Sequence, residues 1–272
     1  MWYEHELAIE GVTMGDSRLA GRRVLVMGAS AGIGRVIAQR LGAAGAHVAL
    51  AARRREVCEE AAAEIGGTAI GLSCDVTDEE QCRQVVEDAV AGLGGLDDVV
   101  YSTGAISIVA LDTADAHWWR TTFETNVMGA ALITKYALPH VKQAPGSFVY
   151  LSSVSSIGPA WPGIGVYTAT KAALNRMVDT LRLEHTEVGF VRVFVGPTAD
   201  AGTGTNFDMS GVPHMERWVN LAVASGAMNT PVAVSEAVEL VLASDARIFD
   251  VTVAPKDPAL PWTGVPAGEI PV

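Results

Sequence analysis

Short apolar runs recur along the chain from about residue 23, and each is followed by a longer stretch with helical spacing. The runs fall at 24–27, 47–52, 69–74, 98–102, 147–152 and 190–195. Helical stretches follow at 33–44, 54–65, 78–91, 114–138 and 167–186. A further helix near 235–243 leads to a seventh run at 247–253. The runs are continuously apolar rather than alternating, which is the pattern of strands buried on both faces. Strict alternation of such strands with helices predicts an α/β fold, a doubly wound parallel sheet of about seven strands with helices on both faces. One domain covers 19–254. Residues 1–18 have no clear period and read as an N-terminal arm. Residues 197–230 form the only long irregular region and read as a lid over a ligand, and 255–272 form a Pro-rich tail.

Bulk composition narrows the partners. The chain has 272 residues, 49% hydrophobic and only 18% charged, with 19 Lys and Arg against 31 Asp and Glu, a net charge of −12. Such a surface repels nucleic acid and anionic membranes, and leaves a small molecule as the expected partner. No apolar run reaches the roughly 18 residues of a membrane span. The opening Met-Trp-Tyr-Glu-His-Glu-Leu is mixed and acidic, unlike a secretory signal. Three cysteines, Cys58, Cys74 and Cys82, lack metal or redox spacing and fit reduced thiols in the cytoplasm. The histidines are scattered, so no metal is expected.

Two motifs carry chemistry. The first strand runs into Gly28-Ala-Ser30-Ala31-Gly32-Ile33-Gly34, where a helix begins. Glycines in a strand-to-helix turn let backbone N–H groups approach the pyrophosphate of a dinucleotide at the helix N-terminus. The second is Tyr167-Thr-Ala-Thr-Lys171, whose i, i+4 spacing puts a phenol and an ammonium on one helix face. It lies 14 residues after Ser153, at the end of the fifth strand, while Asn126 interrupts the middle of a helical stretch. A lone pair of this kind is weak evidence, but the combination is specific.

From about Arg22 to Val253 the chain resembles the short-chain dehydrogenase/reductase family in its single-domain, Rossmann-like subtype. That resemblance implies Tyr167 as the general acid/base. It implies Lys171 on the nicotinamide ribose, lowering the phenol's pKa, and Ser153 on the substrate oxygen. Asn126 would hold a water that links Lys171 to solvent. Ser152 competes with Ser153, but side chains alternate along a strand and only one can face the site. Asp75 and Val76 would flank the adenine, Thr103 and Gly104 the adenosine ribose, and Pro197 and Thr198 the carboxamide. Related proteins form homodimers or homotetramers through the stretches 114–138 and 167–186. The chain departs from the family pattern at Ser102-Thr-Gly-Ala, at Gly196-Pro197, and at Ala31, where NADP-dependent members carry a cation.

The second strand ends in Ala51-Ala52 and three arginines, Arg53, Arg54 and Arg55. An NAD-preferring protein places a carboxylate about 20 residues after the glycine turn to hold the ribose 2′-hydroxyl. Arg53 and Arg54 stand there instead and suit a 2′-phosphate, so NADP(H) is the expected cofactor. Arg55 pairs best with Glu59, and Arg35 is a candidate for the cation missing at Ala31. The segments expected to line the substrate carry Trp161, Met209 and Trp218 and little charge, which points to an apolar ketone or alcohol. A non-catalytic dinucleotide sensor of the same fold is the alternative, and it has no need to keep Asn126, Ser153, Tyr167 and Lys171 together.

Overall fold

The computed structural model describes residues 18–201, 217–218 and 227–256. The expected arm, most of the lid and nearly all of the C-terminal tail lie outside the described residues. The elements alternate as anticipated: β1 (Arg23–Met27), α1 (Gly32–Ala43), β2 (His47–Ala52), α2 (Arg55–Ile65), β3 (Ile70–Ser73), α3 (Glu79–Leu93) and β4 (Asp98–Tyr101). There follow α4 (Ala116–Phe123), α5 (Gly129–Val141), β5 (Ser147–Ser153), α6 (Gly165–Glu184), β6 (Gly189–Val195), α7 (Pro231–Ala243) and β7 (Asp250–Val253).

All seven strands pair in parallel, in the order β3-β2-β1-β4-β5-β6-β7. The continuous apolar runs have their cause in this packing. Leu25 and Met27 of β1 face one core with Val85 and Ala89 of α3, Ile133 of α5 and Leu174 of α6. Val24 and Val26 face the other, with Ile37 and Leu41 of α1, Ala61 of α2 and Val238 of α7. Strand order reverses between β1 and β4, and ligands of such sheets sit beyond the strand C-termini at that switch point.

Two boundaries differ from the pattern-based expectation. The stretch 114–138 is not one α-helix. Asp115 caps α4 by accepting the N–H groups of His117 and Trp118, and a π-helical turn, Glu124–Met128, then joins α4 to α5. Tyr101, buried beneath, donates its hydroxyl to the carbonyl of Thr125 in that turn at 2.6 Å. At the other boundary, α7 begins at Pro231, earlier than the apolar period suggests. Thr230 caps it by accepting the N–H of Ala233, and Pro231 occupies a first-turn position where its missing N–H costs nothing.

Candidate active site

The switch point gathers the glycine turn after β1 and the loop after β4. Gly28 has φ of +81°, and a Cβ there would lie 2.8 Å from the backbone nitrogen of Thr103. A Cβ on Gly34 would run into the carbonyl of Gly28 and the hydroxyl of Ser102. Ser102 ties the two strand ends together, its N–H and hydroxyl both donating to Met27 O. Ala31, extended and without a capping side chain, precedes α1, so no side chain of its own covers the first-turn N–H groups of that helix. The geometry suits close approach of an anionic ligand to backbone.

Asn126 occupies the π-turn and is fully buried. Its Oδ1 accepts the Ala105 N–H at 2.8 Å, and its Nδ2 donates to Ala105 O and to Thr170 Oγ1, both at 2.9 Å. Gly104 lies between this clasp and Lys171: a Cβ on it would be 3.6 Å from Asn126 Oδ1 and 3.7 Å from Lys171 Nζ. Lys171 is 3% exposed and donates to Leu151 O at 2.7 Å. Its Nζ is 5.8 Å from the centroid of the Tyr167 ring. Burial lowers the Lys171 ammonium to about 8.

Burial pushes the Tyr167 phenol up to about 12, against a hydrogen bond from Ser153 that favours the ionised form. The downward pull of Lys171 expected from the resemblance does not appear among the causes; desolvation sets the direction. Ser152 turns away and donates to Asn175 Oδ1 at 2.7 Å, so the alternation of β5 does separate the two serines. Four residues distant in sequence are thus brought to one place.

The remaining expected residues are distributed as follows. Asp75 follows β3 and accepts the N–H and hydroxyl of Thr77, while Asp78 caps α3. Val76 is buried in the core. Arg53 and Arg54 are exposed beyond β2, and Arg54 Nη2 donates to Ser30 Oγ at 3.2 Å. Arg55 pairs with Glu59 at 2.8 Å, as the spacing suggested. Arg35, the candidate cation beside Ala31, pairs with Glu64 at 2.7 Å. After β6, Asn229 fastens the loop: its N–H donates to Pro197 O at 2.7 Å and its O accepts from Ala199 N at 3.0 Å. The Thr198 hydroxyl donates to Gly196 O at 2.9 Å.

Trp161 and Trp218 meet at 5.2 Å between ring centroids, and Trp218 Nε1 donates to Pro162 O at 2.7 Å. Both belong to a small apolar cluster with Ile106, Ile108, Val154, Ile164, Phe194 and Tyr167. Met209 lies outside the described residues. Sequence reasoning missed the Thr170 hydroxyl, and it missed the backbone groups of Ala105 and Leu151, which leave no mark in a sequence. Thr170, polar inside the Tyr-Lys motif, was the one available signal.

A parallel sheet with a glycine turn at its switch point is a Rossmann-type architecture. The model for short chain dehydrogenases matches residues 22–210, and the chain belongs to that family of nicotinamide dinucleotide oxidoreductases. It is 38% identical over 192 residues to "11-beta-hydroxysteroid dehydrogenase A" of Arachis hypogaea, covering 66% of this chain and 53% of that protein. It is 33% identical over 189 residues to "Dehydrogenase/reductase SDR family member 4" of Pongo abelii, covering 67% of each. The chain spans about half the length of the plant relatives it matches. Among solved structures, a dehydrogenase/reductase from Sinorhizobium meliloti 1021 superposes with a TM-score of 0.76 at 27% identity, covering 88% of this chain and 96% of that one. An alcohol dehydrogenase from Thermococcus sibiricus complexed with 5-hydroxy-NADP shares the fold, with a TM-score of 0.75 at 23% identity over 85% and 95% of the two chains.

Proposed function

We propose that this chain is an NADP(H)-dependent oxidoreductase interconverting an apolar ketone or aldehyde and its alcohol, with Tyr167 as general acid/base. The observation that carries the reading is a half-buried Tyr167 in an apolar cluster with Val154, the neighbour of Ser153, with Lys171 on the same helix face 5.8 Å from the phenol ring. A dinucleotide fits the residues present. The turn at Gly28 and Gly34 leaves backbone, not side chain, to meet the pyrophosphate. Arg53 and Arg54 supply two cations without an ion-pair partner among the described residues. No carboxylate stands at Ala51 or Ala52 to favour a free 2′-hydroxyl. When bound, the nicotinamide supplies or accepts the hydride.

The chain's own part is proton handling and orientation. Tyr167 gives its proton to the carbonyl oxygen in reduction and takes it back in oxidation. Ser153 orients that oxygen. Lys171 holds the ribose hydroxyls and adds positive charge near the phenol. Asn126 fixes the Gly104–Ala105 segment; both its amide protons are used, which leaves one lone pair of Oδ1 for a relay water. The hydrogen-bonded set supports catalysis over a sensor role. We assign the protein to the cytoplasm, from its three buried free thiols. We also assign it a homodimeric or homotetrameric state, supported by Trp119, Phe123 and Met128, exposed on α4 and the π-turn.

The test is a panel of cyclohexanone, acetophenone and a keto steroid, with their alcohols, against NADPH and NADH. Turnover of at least one ketone, abolished by Tyr167→Phe with NADPH affinity kept within about threefold, is expected. Undiminished turnover by Tyr167→Phe would refute the acid/base role.

A further inference from the structure

The three-residue 3₁₀ turn after β5, Val154–Ser156, carries a second serine whose position is too specific to be only a turn residue. Ser155 is buried, and its Oγ lies 2.9 Å from Ser153 Oγ. Its backbone N–H also donates to Ser153 Oγ, at 3.2 Å. From α6, the residue after Tyr167 reaches the same atom: Thr168 Oγ1 donates to Ser155 Oγ at 3.3 Å.

One arrangement of protons satisfies all of these contacts and leaves Ser153 with a proton to give. A hydroxyl has one proton and two lone pairs. Ser155 Oγ receives the Thr168 proton, which leaves its own proton available for Ser153 Oγ, the arrangement on which the proposal is built. Ser153 Oγ then accepts twice, from the hydroxyl and the N–H of Ser155, and both its lone pairs are occupied. The single proton of Ser153 is left to be donated outward, toward the Tyr167 oxygen and the substrate oxygen beside it.

We propose that Ser155 is a positioning residue for the reaction. With Thr168 behind it, it locks Ser153 as a donor to the reacting oxygen and strengthens that donation by polarising the Ser153 hydroxyl. An unlocked Ser153 has a free rotor and spends part of its time accepting, which offers nothing to a carbonyl oxygen that is gaining charge. This inference rests on the catalytic reading of Tyr167 and Ser153 given above.

The test compares Ser153→Ala, Ser155→Ala, Ser155→Thr, Thr168→Val and the double variant Ser155→Ala/Thr168→Val. Each is assayed with NADPH and whichever ketone of the panel is turned over fastest, across pH 6 to 10. Ser155→Ala keeps the backbone N–H contact, so it is expected to lower kcat about fivefold to twentyfold, the loss of roughly one hydrogen bond in the transition state. The ketone KM and the NADPH dissociation constant, read by cofactor fluorescence, should stay within about twofold to threefold. In the oxidative direction the rise of rate with pH should move to higher pH, because the phenolate loses support. Ser155→Thr, which keeps a hydroxyl, should restore most of kcat. Thr168→Val should lose about threefold, and the double variant should be no slower than Ser155→Ala, since Thr168 acts only through Ser155. If Ser155→Ala does not fold, Thr168→Val and Ser155→Thr decide by the same kcat and pH criteria. Ser155→Ala at full kcat with an unmoved pH profile, while Ser153→Ala has lost activity, overturns the proposal. Full activity in Ser153→Ala itself overturns the underlying catalytic reading instead.

Discussion

Asn126 holds both backbone polar groups of Ala105, accepting its N–H at 2.8 Å and donating to its carbonyl at 2.9 Å. A side-chain amide thus stands in for a strand neighbour, and it does so from a π-turn at the foot of α5. An ordinary α-helical turn would aim the residue elsewhere; such turns occur mostly where a function needs the side chain displaced. The loop carrying Gly104 to Lys171 is therefore positioned by one residue.

Replacing that residue tests the dependence. Asn126→Ala would leave the N–H and C=O of Ala105 and the hydroxyl of Thr170 without this partner in a buried site. Each buried orphan costs about 1–3 kcal/mol. A loss of about 2–4 kcal/mol in urea unfolding is expected, together with weaker NADPH binding. A change below about 1 kcal/mol would mean the clasp is dispensable.

Lys171 gives a prediction of the opposite sign. Its pKa is about 8 in the fold against 10.5 for the free side chain. Below pH 8 both states are protonated and the fold bears the full cost of a buried charge, on the order of 3 kcal/mol. Between pH 8 and 10.5 the unfolded chain binds more protons, so stability contributed here rises with pH; above 10.5 the cost is gone. Lys171→Met removes the charge but orphans the Leu151 carbonyl, which takes back about 1–3 kcal/mol. The variant should be inactive yet melt at or above the parent at pH 7, and its relative advantage should shrink by pH 10. Melting curves of the two proteins that stay parallel across this range would contradict the buried-charge account.

On the NADP(H) reading proposed above, Arg53 and Arg54 are expected to divide the 2′-phosphate unequally. Arg54 is already tied to Ser30 in the glycine turn, whereas the Arg53 guanidinium has no ion-pair partner among the described residues. A charge-assisted contact is worth about 1.5–3 kcal/mol, so Arg53→Ala should raise the KM for NADPH about tenfold to a hundredfold and leave NADH nearly unchanged. Arg54→Ala should act in the same direction more weakly. Equal effects of Arg53→Ala on both dinucleotides would remove the phosphate assignment.

The legible parts of this fold are those where burial acts on whole elements. β1, with Val24 and Val26 in one core and Leu25 and Met27 in the other, could only read as a continuous apolar run. Ser153, Tyr167 and Lys171 stood out in the sequence because the proposed chemistry demands particular side chains at particular spacings. What escaped was set by backbone. The π-turn leaves no signature beyond an awkward Asn126 in a helix. The pairing of Arg35 with Glu64 of α2 left no mark in the spacing. The contact of Ser155 with Ser153 requires the 3₁₀ turn, and a run of serines after a strand does not announce one.

The two titrations at the site predict how rate follows pH. In the proposed mechanism, reduction needs Tyr167 protonated and Lys171 charged. With the phenol at about 12 and the ammonium at about 8, the phenol stays protonated across the working range and Lys171 alone sets the limit. The kcat/KM for ketone reduction should therefore be flat from about pH 6 to 7.5 and fall above about 8. Oxidation needs the phenolate, whose fraction grows tenfold per pH unit below its pKa, so the alcohol reaction should climb up to about pH 8 and level off above it, where loss of the Lys171 charge offsets the growing phenolate fraction. Lys171→Arg separates the causes, because a guanidinium stays charged well beyond pH 10. Whatever reductive activity that variant keeps should lose the fall above pH 8. If the fall persists at the same pH, a group other than Lys171 governs the alkaline limit.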